Sequence, residues 1–292
     1  MLVALLAAVI VGTWNGNWFP SGRAEHRAHP DVERATVAAT ARMLADGLRA
    51  VDPAGTNDVI LCLNEIRGPR VASNLVAQIG RPGLRVAVVT GYRRRDRFDQ
   101  QQDVIATTLP VAETHWSRWR VSNGALPPRG YAFAAVAVDP ATTANVYAVH
   151  LKSNYGTRSK PAVAAANREK RTVAIRQLVE QERPQGRGRR KASRPVIVAG
   201  DMNADKWKPE FREERLFGLL EEAGFANPLG DLPPEARGTH PSERYGDSAL
   251  DYVFCRGLDA VAPARVVPND GLSDHRAVFV LLAAGARAPE SK

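Results

Sequence analysis

The chain contains little cysteine and has no hydrophobic run of membrane length. Cys62 and Cys255 are its only cysteines, which excludes a disulfide-rich scaffold and a four-thiolate zinc site. Both lie in strand-like apolar stretches, where we expect buried free thiols. No run reaches the roughly 18 apolar residues of a membrane span, so we expect no integral membrane association.

Positive charge is in surplus. Lys plus Arg total 40 and Asp plus Glu 31, a formal net charge of +9, which favours an anionic partner such as nucleic acid, a phosphorylated metabolite or anionic lipid. The other proportions are ordinary, with 44% hydrophobic residues, and they exclude a wholly disordered chain, a collagen and a coiled coil. We expect one domain over residues 1–284 and a flexible tail over 285–292.

The first eleven residues are almost entirely apolar. They could be the remnant of a signal peptide, but no Lys or Arg precedes them. The β-branched stretch at 9–11 is more typical of a buried strand, which we favour. The default expectation is a cytoplasmic protein, whereas a signal-peptide remnant would mean export.

Short apolar strands alternate with helical stretches. Periodicity predicts helices over 31–51, 71–79, 161–182 and 210–223, and strands over 9–14, 58–64, 84–90, 104–109, 131–138, 145–151, 195–199, 249–255 and 277–282. The continuous apolar run at 58–64 indicates burial on both faces. The strands from 84 to 151 resemble antiparallel meanders, which favours packed sheets with outer helices. For the basic segment 183–194, a solvated linker is favoured over a nucleic-acid clamp.

Polar side chains follow the ends of several predicted strands. They are Asn15, Asn17, Asn64, Glu65, His150, Lys152, Asn154, Asp201, Asn203, Asp251, Asp274 and His275. Catalytic groups commonly lie where a rigid strand meets a loop. Each of these residues could also have a purely structural role, because Gly, Asp and Asn favour turns. Asp251 is the exception, since it interrupts an apolar strand and needs a partner such as histidine.

The acids among these residues indicate a hard divalent metal. Alternate residues of an extended segment face the same side, so Asp201 and Asn203 point together. Glu65, Asp201 and Asp274 offer carboxylate oxygens, which suit Mg²⁺, Mn²⁺ or Ca²⁺ better than zinc. The sequence contains no HExxH motif.

Together, six motifs resemble the endonuclease/exonuclease/phosphatase superfamily, which includes DNase I-like nucleases, repair nucleases, inositol polyphosphate 5-phosphatases and neutral sphingomyelinases. None is specific alone, but they occur in the family order between residues 9 and 282: WN at 14–15, NE at 64–65, HLKSN at 150–154, GDMN at 200–203, LDY at 250–252 and SDH at 273–275. The resemblance implies a DNase I-like four-layer α/β sandwich, with two packed mixed β-sheets flanked by helices. It also implies Mg²⁺-, Mn²⁺- or Ca²⁺-dependent phosphoester hydrolysis by a monomer.

The resemblance further assigns a role to each site residue. The implied catalytic residues are His150, Asp201, Asn203, Asp251 and His275. The implied metal ligands are Asn15, Glu65 and Asp274, and the implied substrate contacts are Asn17, Lys152 and Asn154. In this scheme Asp201 orients or deprotonates the attacking water, with Asn203 fixing its geometry. His275, held by Asp251, stabilises phosphate charge or transfers a proton, while His150 contacts the phosphate from the other side.

Three positions depart from the family pattern. Asn17 stands where repair nucleases often carry Asp, which removes a charge and argues against a second metal. Asn64 stands where many relatives have Gln. The acid that pairs with His150 in DNase I-like members is not obvious, and Asp103 is the candidate.

The substrate is the least determined feature. The arginine run at 93–97 and the RWR segment at 118–120 mix basic and aromatic residues in predicted loops, which suits phosphates and stacked bases. We therefore expect a nuclease acting on DNA or RNA. The alternative is a phosphatase or a sphingomyelinase-type phospholipase of the same superfamily. A binding module without chemistry would lack Glu65, Asp201 or His275, and all three are present.

Overall fold

Two β-sheets packed face to face, with helices on their outer sides, make up the computed structural model of the protein. The structure describes residues 8–21, 29–94, 97–98, 101–154, 156–157, 160–183, 194–243 and 246–283. Most of the apolar N-terminal stretch, the basic segment 184–193 and the tail 285–292 lie outside the described residues. The expectations for those segments stay predictions.

The described elements are four α-helices and fourteen strands. The helices are α1 (Pro30–Val51), α2 (Pro69–Gln78), α3 (Pro161–Gln181) and α4 (Leu216–Glu222). The strands are β1 (Ala8–Phe19), β2 (Asp58–Ile66), β3 (Arg85–Val89), β4 (Arg93–Arg94), β5 (Arg97–Phe98), β6 (Gln102–Thr107), β7 (Val111–Arg118), β8 (Gly130–Ala137), β9 (Thr143–His150), β10 (Val196–Asp201), β11 (Asp251–Arg256), β12 (Asp259–Ala260), β13 (Arg265–Val267) and β14 (Ala277–Ala283). No helix among them is both long and apolar enough to cross a membrane.

Both large sheets are mixed. The first has seven strands in the order β12-β14-β1-β2-β6-β3, with β13 also paired to β14, and the second has five in the order β11-β10-β9-β8-β7. Strands β1 and β2 run parallel, as do β9 and β10, and the other pairs are antiparallel. The predicted α/β fold of two packed mixed sheets flanked by helices is confirmed.

The two faces of the seven-stranded sheet pack against different partners. Val9 and Val11 point into the core between the sheets, whereas Ile10 and Trp14 join the cluster formed with α1 and α2. This alternation is the period of two that an extended strand imposes. Strand β2 is buried along its whole length after Asp58, so the prediction of a strand buried on both faces is correct.

Several elements differ from the sequence prediction, among them the short strands β4, β5, β12 and β13, which were not predicted. The helix expected over 210–223 is shorter, because Pro209–Phe211 forms a 3-10 turn and the buried Glu214 side chain binds Arg171 before α4 begins. Strand β7 was not predicted. It is an edge strand whose side chains are exposed or half-buried, and such a strand needs few apolar residues.

Candidate active site

The candidate site lies where strands of both sheets end side by side. In the five-stranded sheet, Asp201 at the end of β10 is directly opposite His150 on β9 and Asp251 on β11. In the seven-stranded sheet, Asn15 on β1 is opposite Asn64 on β2. The face-to-face packing then brings these two groups of strand ends together, as the sequence predicted for polar residues at strand ends.

Unusual backbone conformations fix several site residues. Glu65 has φ 58° and Asn203 has φ 51°, a left-handed region that costs non-glycine residues energy and recurs at functional sites. Glu65 falls at a β-bulge of β2, which redirects its side chain. Gly200 has φ 144°, and a Cβ there would lie 1.9 Å from the carbonyl oxygen of Val149, so only glycine fits before Asp201.

Asp201 is a buried carboxylate held by neutral donors. Its Oδ2 accepts hydrogen bonds from Asn15 Nδ2 at 2.9 Å and from Asn203 Nδ2 at 2.8 Å, and its Oδ1 accepts the Asn203 backbone N–H at 2.8 Å. Its own backbone N–H donates to Asn64 Oδ1 at 3.1 Å. Burial disfavours the ionised form and outweighs the His275 charge and these hydrogen bonds, which raises the pKa of Asp201 to about 7.

His275 forms an ion pair with Asp251, as predicted. The Nδ1–H group donates to Asp251 Oδ2 at 2.7 Å, and that oxygen also accepts the Thr239 hydroxyl at 2.7 Å. Burial alone would lower the pKa of His275, but the adjacent carboxylate of Asp251 outweighs it and raises the pKa to about 10. The ring is therefore an imidazolium at neutral pH, with Nε2 4.0 Å from Asp201 Oδ2.

Glu65 and His150 lie on the other side of Asp201. Glu65 Oε2 accepts the Trp18 backbone N–H at 3.1 Å, and Oε1 is 3.6 Å from His150 Nε2. The same nitrogen is 3.5 Å from Asp201 Oδ2. Burial, with nearby positive groups, lowers the pKa of His150 well below its ordinary value, so the ring is neutral.

Asp103 is not the partner acid of His150. It is fully buried, and its two oxygens accept hydrogen bonds from Asn64 Nδ2 at 2.7 Å and from the Tyr92 hydroxyl at 3.3 Å. The Nδ1 atom of His150 is buried and has no hydrogen-bond partner among the described residues. The candidate pairing is therefore wrong, because Asp103 instead secures the asparagine that holds the Asp201 backbone.

The predicted substrate contacts lie in more exposed positions. Asn17 is exposed and donates its backbone N–H to Asn15 Oδ1 at 2.9 Å. Lys152 and Asn154 are partly exposed in the loop after β9. Arg171 of α3, which is completely buried, holds this loop by donating to the Lys152 carbonyl at 2.5 Å and to Asn154 Oδ1 at 3.3 Å.

The basic and aromatic clusters are only partly available to a ligand. Trp119 is 4% exposed and packs against Tyr131, so the prediction that it stacks on bases is wrong. Arg118 lies at the end of β7, above the ring of Tyr92 at 5.4 Å. Arg93–Arg94 and Arg97–Phe98 form a small hairpin, and Arg95 lies outside the described residues.

Four residues near the site were missed by sequence reasoning. They are Arg129, Arg171, Thr239 and His240. Arg129 donates to the carbonyls of His150 at 3.4 Å and Leu151 at 3.3 Å. The His240 ring packs edge-on against His275 with centroids 4.9 Å apart. None of the four belongs to a recognisable motif, and their contacts join distant parts of the chain.

The acidic groups of the site fit a hard divalent cation. The carboxylates of Glu65, Asp201, Asp251 and Asp274 outnumber the one imidazolium among them, that of His275. Asp251 Oδ1 is buried without a hydrogen-bond partner among the described residues. Buried carboxylates are costly unless compensated, and oxygen donors of this kind suit Mg²⁺. Of the predicted ligands, Asn15 and Glu65 lie side by side, with Asn15 Nδ2 3.5 Å from Glu65 Oε1. Asp274 instead contacts His275 and His240.

The fold and this constellation agree with the comparison to protein families. Residues 12–275 match the Endonuclease/Exonuclease/phosphatase family, and the chain belongs to that family. Members of this superfamily are phosphoester hydrolases. No curated protein sequence matches the chain.

Solved structures with a similar fold cover nearly the whole chain. An endonuclease/exonuclease/phosphatase from Beutenbergia cavernae is 18% identical with a TM-score of 0.63, and the match covers 96% of this chain and 72% of that one. A D. rerio TDP2 humanized by 14 mutations is 13% identical with a TM-score of 0.61, covering 94% and 99%. The 3' phosphatase NExo from Neisseria, bound to a product DNA hairpin, is 16% identical with a TM-score of 0.57, covering 93% and 98%. At these identities the likeness shows the fold alone.

Proposed function

We propose that the protein is a divalent-metal-dependent nuclease that hydrolyses phosphodiester bonds of DNA or RNA. The observation that carries this proposal is the arrangement of Asp201 and His275. A buried carboxylate held by three N–H donors lies 4.0 Å from the Nε2 atom of an imidazolium paired with a second carboxylate. A proton acceptor and a cationic donor therefore lie within reach of the same phosphoryl group.

Asp201 is the proposed base. Its pKa of about 7 keeps a large ionised fraction at neutral pH while leaving it basic enough to accept a proton from water. Asn15 and Asn203 fix the orientation of its carboxylate. As the water oxygen attacks phosphorus, its proton passes to Asp201. The P–O bond to the leaving group breaks, and the leaving oxygen takes a proton from solvent while Asp201 returns its proton to solvent.

His275 is the proposed electrostatic stabiliser. Its imidazolium is fixed by Asp251, so Nε2–H can donate to a phosphoryl oxygen whose negative charge grows in the transition state. Glu65, with Asn15 beside it, would hold the divalent metal. When bound, the metal would offset phosphate charge and lower the pKa of a coordinated water.

A polynucleotide is the proposed substrate because positive charge collects beside His150. The pKa of Lys152 is lowered first by burial and then by the positive charges of Arg129, Lys170 and Arg171. Arg171 is buried against Glu214, so the partly exposed charges of this cluster are Lys152, Arg129 and Lys170. Such a cluster suits a polyanion. The whole chain is also positively charged, with a formal net charge of +9. The NExo and D. rerio TDP2 structures contain product DNA, which supports this choice.

The proposal is tested by incubating the protein with supercoiled plasmid, linear duplex DNA and single-stranded RNA, with Mg²⁺, Mn²⁺ or EDTA. We expect metal-dependent cleavage that Asp201→Ala lowers by about 10²–10⁴-fold. Asp259→Ala, which changes an exposed carboxylate on β12, should cleave like wild type.

Cleavage of no nucleic acid under any metal condition would contradict the nuclease. Phosphate release from inositol phosphates or hydrolysis of sphingomyelin by the same preparation would then assign the superfamily chemistry to a smaller substrate. Wild-type cleavage by Asp201→Ala would contradict the role of that carboxylate.

A further inference from the structure

Three ligand atoms converge at one side of the candidate site. The His240 and His275 rings and the Asp274 carboxylate place one ligand atom each within 4.8 Å of one another. Nε2 of His240 is 3.8 Å from Asp274 Oδ2, and Nε2 of His275 is 3.9 Å from Asp274 Oδ1. These separations exceed hydrogen-bond length, so the three groups border a gap.

The surrounding structure holds both imidazoles in place. Asp251 accepts the Nδ1–H of His275, which directs Nε2 toward the gap in the manner of a carboxylate–histidine–metal triad. His240 is fixed by two backbone hydrogen bonds with Ser248, at 2.8 and 2.9 Å. Its neighbour Thr239 accepts the backbone N–H of Arg276 at 2.6 Å, which ties the two histidine-bearing segments together.

We propose that His240, Asp274 and His275 form a binding site for a borderline divalent transition metal such as Zn²⁺ or Co²⁺. Two imidazole nitrogens and one carboxylate oxygen are a donor set that such ions prefer, whereas Mg²⁺ prefers oxygen. Three protein ligands leave a further coordination position open. Glu65, the ligand proposed for the hard cation, is not part of this donor set.

The negative charges around the three ligands and their exposure to solvent allow a divalent cation to bind. Three carboxylates, those of Asp201, Asp251 and Asp274, lie within 4.0 Å of the His275 ring nitrogens. The metal would displace the Nε2 proton, as metal binding to histidine generally does, and the same carboxylates would then stabilise the ion. The His240 and Asp274 side chains are 31% and 50% exposed, so the gap opens to solvent.

Occupation of this site would inhibit hydrolysis. A metal bound to Nε2 of His275 removes the donor that the proposed reaction directs at the phosphate. Zn²⁺ should therefore lower the rate of the Mg²⁺-supported reaction. This consequence, unlike metal binding itself, rests on the proposed function.

The binding experiment titrates Co²⁺ into the metal-free full chain and follows visible absorption. We expect one Co²⁺ site per chain that depends on His240, besides any ion held at Glu65. His240→Phe should weaken the affinity of that site by about tenfold or more, the scale on which even outer-shell substitutions act. His240→Gln is a second variant, and circular dichroism verifies that each variant folds. His115→Phe is the matched control, since His115 also lies beside an acid, 3.4 Å from Glu113, on an edge strand.

Unchanged Co²⁺ affinity in a folded His240 variant would overturn the site, as would equal losses in the His115 control. A second arm measures inhibition by Zn²⁺, with each variant compared to its own rate in Mg²⁺ alone. Inhibition should disappear in His240→Phe. If Co²⁺ binds through His240 but no phosphoester is hydrolysed, the metal site stands and the proposed function fails. If the protein hydrolyses a phosphoester and Co²⁺ affinity is unchanged in the His240 variants, the proposed function stands and the metal site fails.

Discussion

Asp201 and His275 are neighbours whose pKa values both rise, for different physical reasons. Burial raises the pKa of the Asp201 carboxyl, while the Asp251 carboxylate overcomes burial and raises the pKa of the His275 ring. These shifts favour the neutral form of Asp201 and the charged form of His275, although the two groups are adjacent. This pairing places a protonated ring beside the carboxylate proposed as the base.

These shifts predict a broad pH profile for hydrolysis. The rate should rise as the pH passes through about 7, because Asp201 acts when ionised, and fall near pH 10, because His275 acts when protonated. Asp251→Asn removes the charge that sustains the imidazolium, so the falling limb should move to lower pH. Rates on an aryl phosphodiester in Mg²⁺ measure this, with Asp259→Asn as the control. An unmoved upper limb would contradict the assignment to His275.

Residue patterns predicted part of the site and missed the rest for a physical reason. The sequence pairing of Asp251 with a histidine was correct, because a carboxylate inside an apolar strand must find a partner. Its histidine partner, His275, followed from the family motif. Thr239 and His240 carry no such signal, since the role of a loop residue depends on contacts that form only when the chain folds. The misassigned partner of His150 shows the same limit, because the position of Asp103 in the sequence did not indicate which neighbour it binds.

At the scale of elements, strongly patterned segments were predicted well and weakly patterned ones were not. Strand β2 has a continuous apolar run whose short length favours a buried strand over a helix. Strand β7 is half polar because one side of an edge strand faces solvent. Helix α4 begins late because Glu214 is drawn into a contact with α3, which no local pattern encodes.

Arg171 ties three elements together, and its replacement should cost stability. It is fully buried with Glu214 and holds the loop after β9. Arg171→Met leaves a buried unpaired carboxylate, which costs about 3–5 kcal/mol of unfolding free energy. Arg168→Met breaks the more exposed neighbouring pair with Glu213 and should cost about 0–1 kcal/mol. Urea unfolding compares them, and equal losses would refute the special role of Arg171.

Two helical glycines should respond oppositely to alanine. A Cβ at Gly47 of α1 would lie 2.3 Å from Phe279 Cε2, whereas a Cβ at Gly218 of α4 meets nothing within 4 Å. Gly218→Ala should stabilise by up to about 1 kcal/mol through helix propensity. Gly47→Ala should destabilise, because overpacking costs about 1–3 kcal/mol. Thermal and urea unfolding decide the signs, and stabilisation by Gly47→Ala would contradict the tight contact with Phe279.

At the scale of the whole molecule, the charge surplus should govern how substrate binds. If the ligand is a polynucleotide, KM should rise steeply with salt, because binding releases counterions from the phosphates. Hydrolysis of a small aryl phosphodiester by the same preparation should change much less. Parallel salt series on the two substrates measure the difference. Equal salt dependence would argue against a polynucleotide track on the surface.

The site is divided between the two sheets. Asn15 and Glu65 belong to the seven-stranded sheet, while His150, Asp201 and Asp251 belong to the five-stranded sheet. Neither sheet alone assembles the proposed base, its anchors and the proposed metal-binding carboxylate. If the protein hydrolyses phosphoesters as proposed, recovery of hydrolysis during refolding requires the two sheets to have docked. It should then lag behind the recovery of backbone circular dichroism whenever docking follows strand pairing. The return of turnover would thus report when the two sheets have docked.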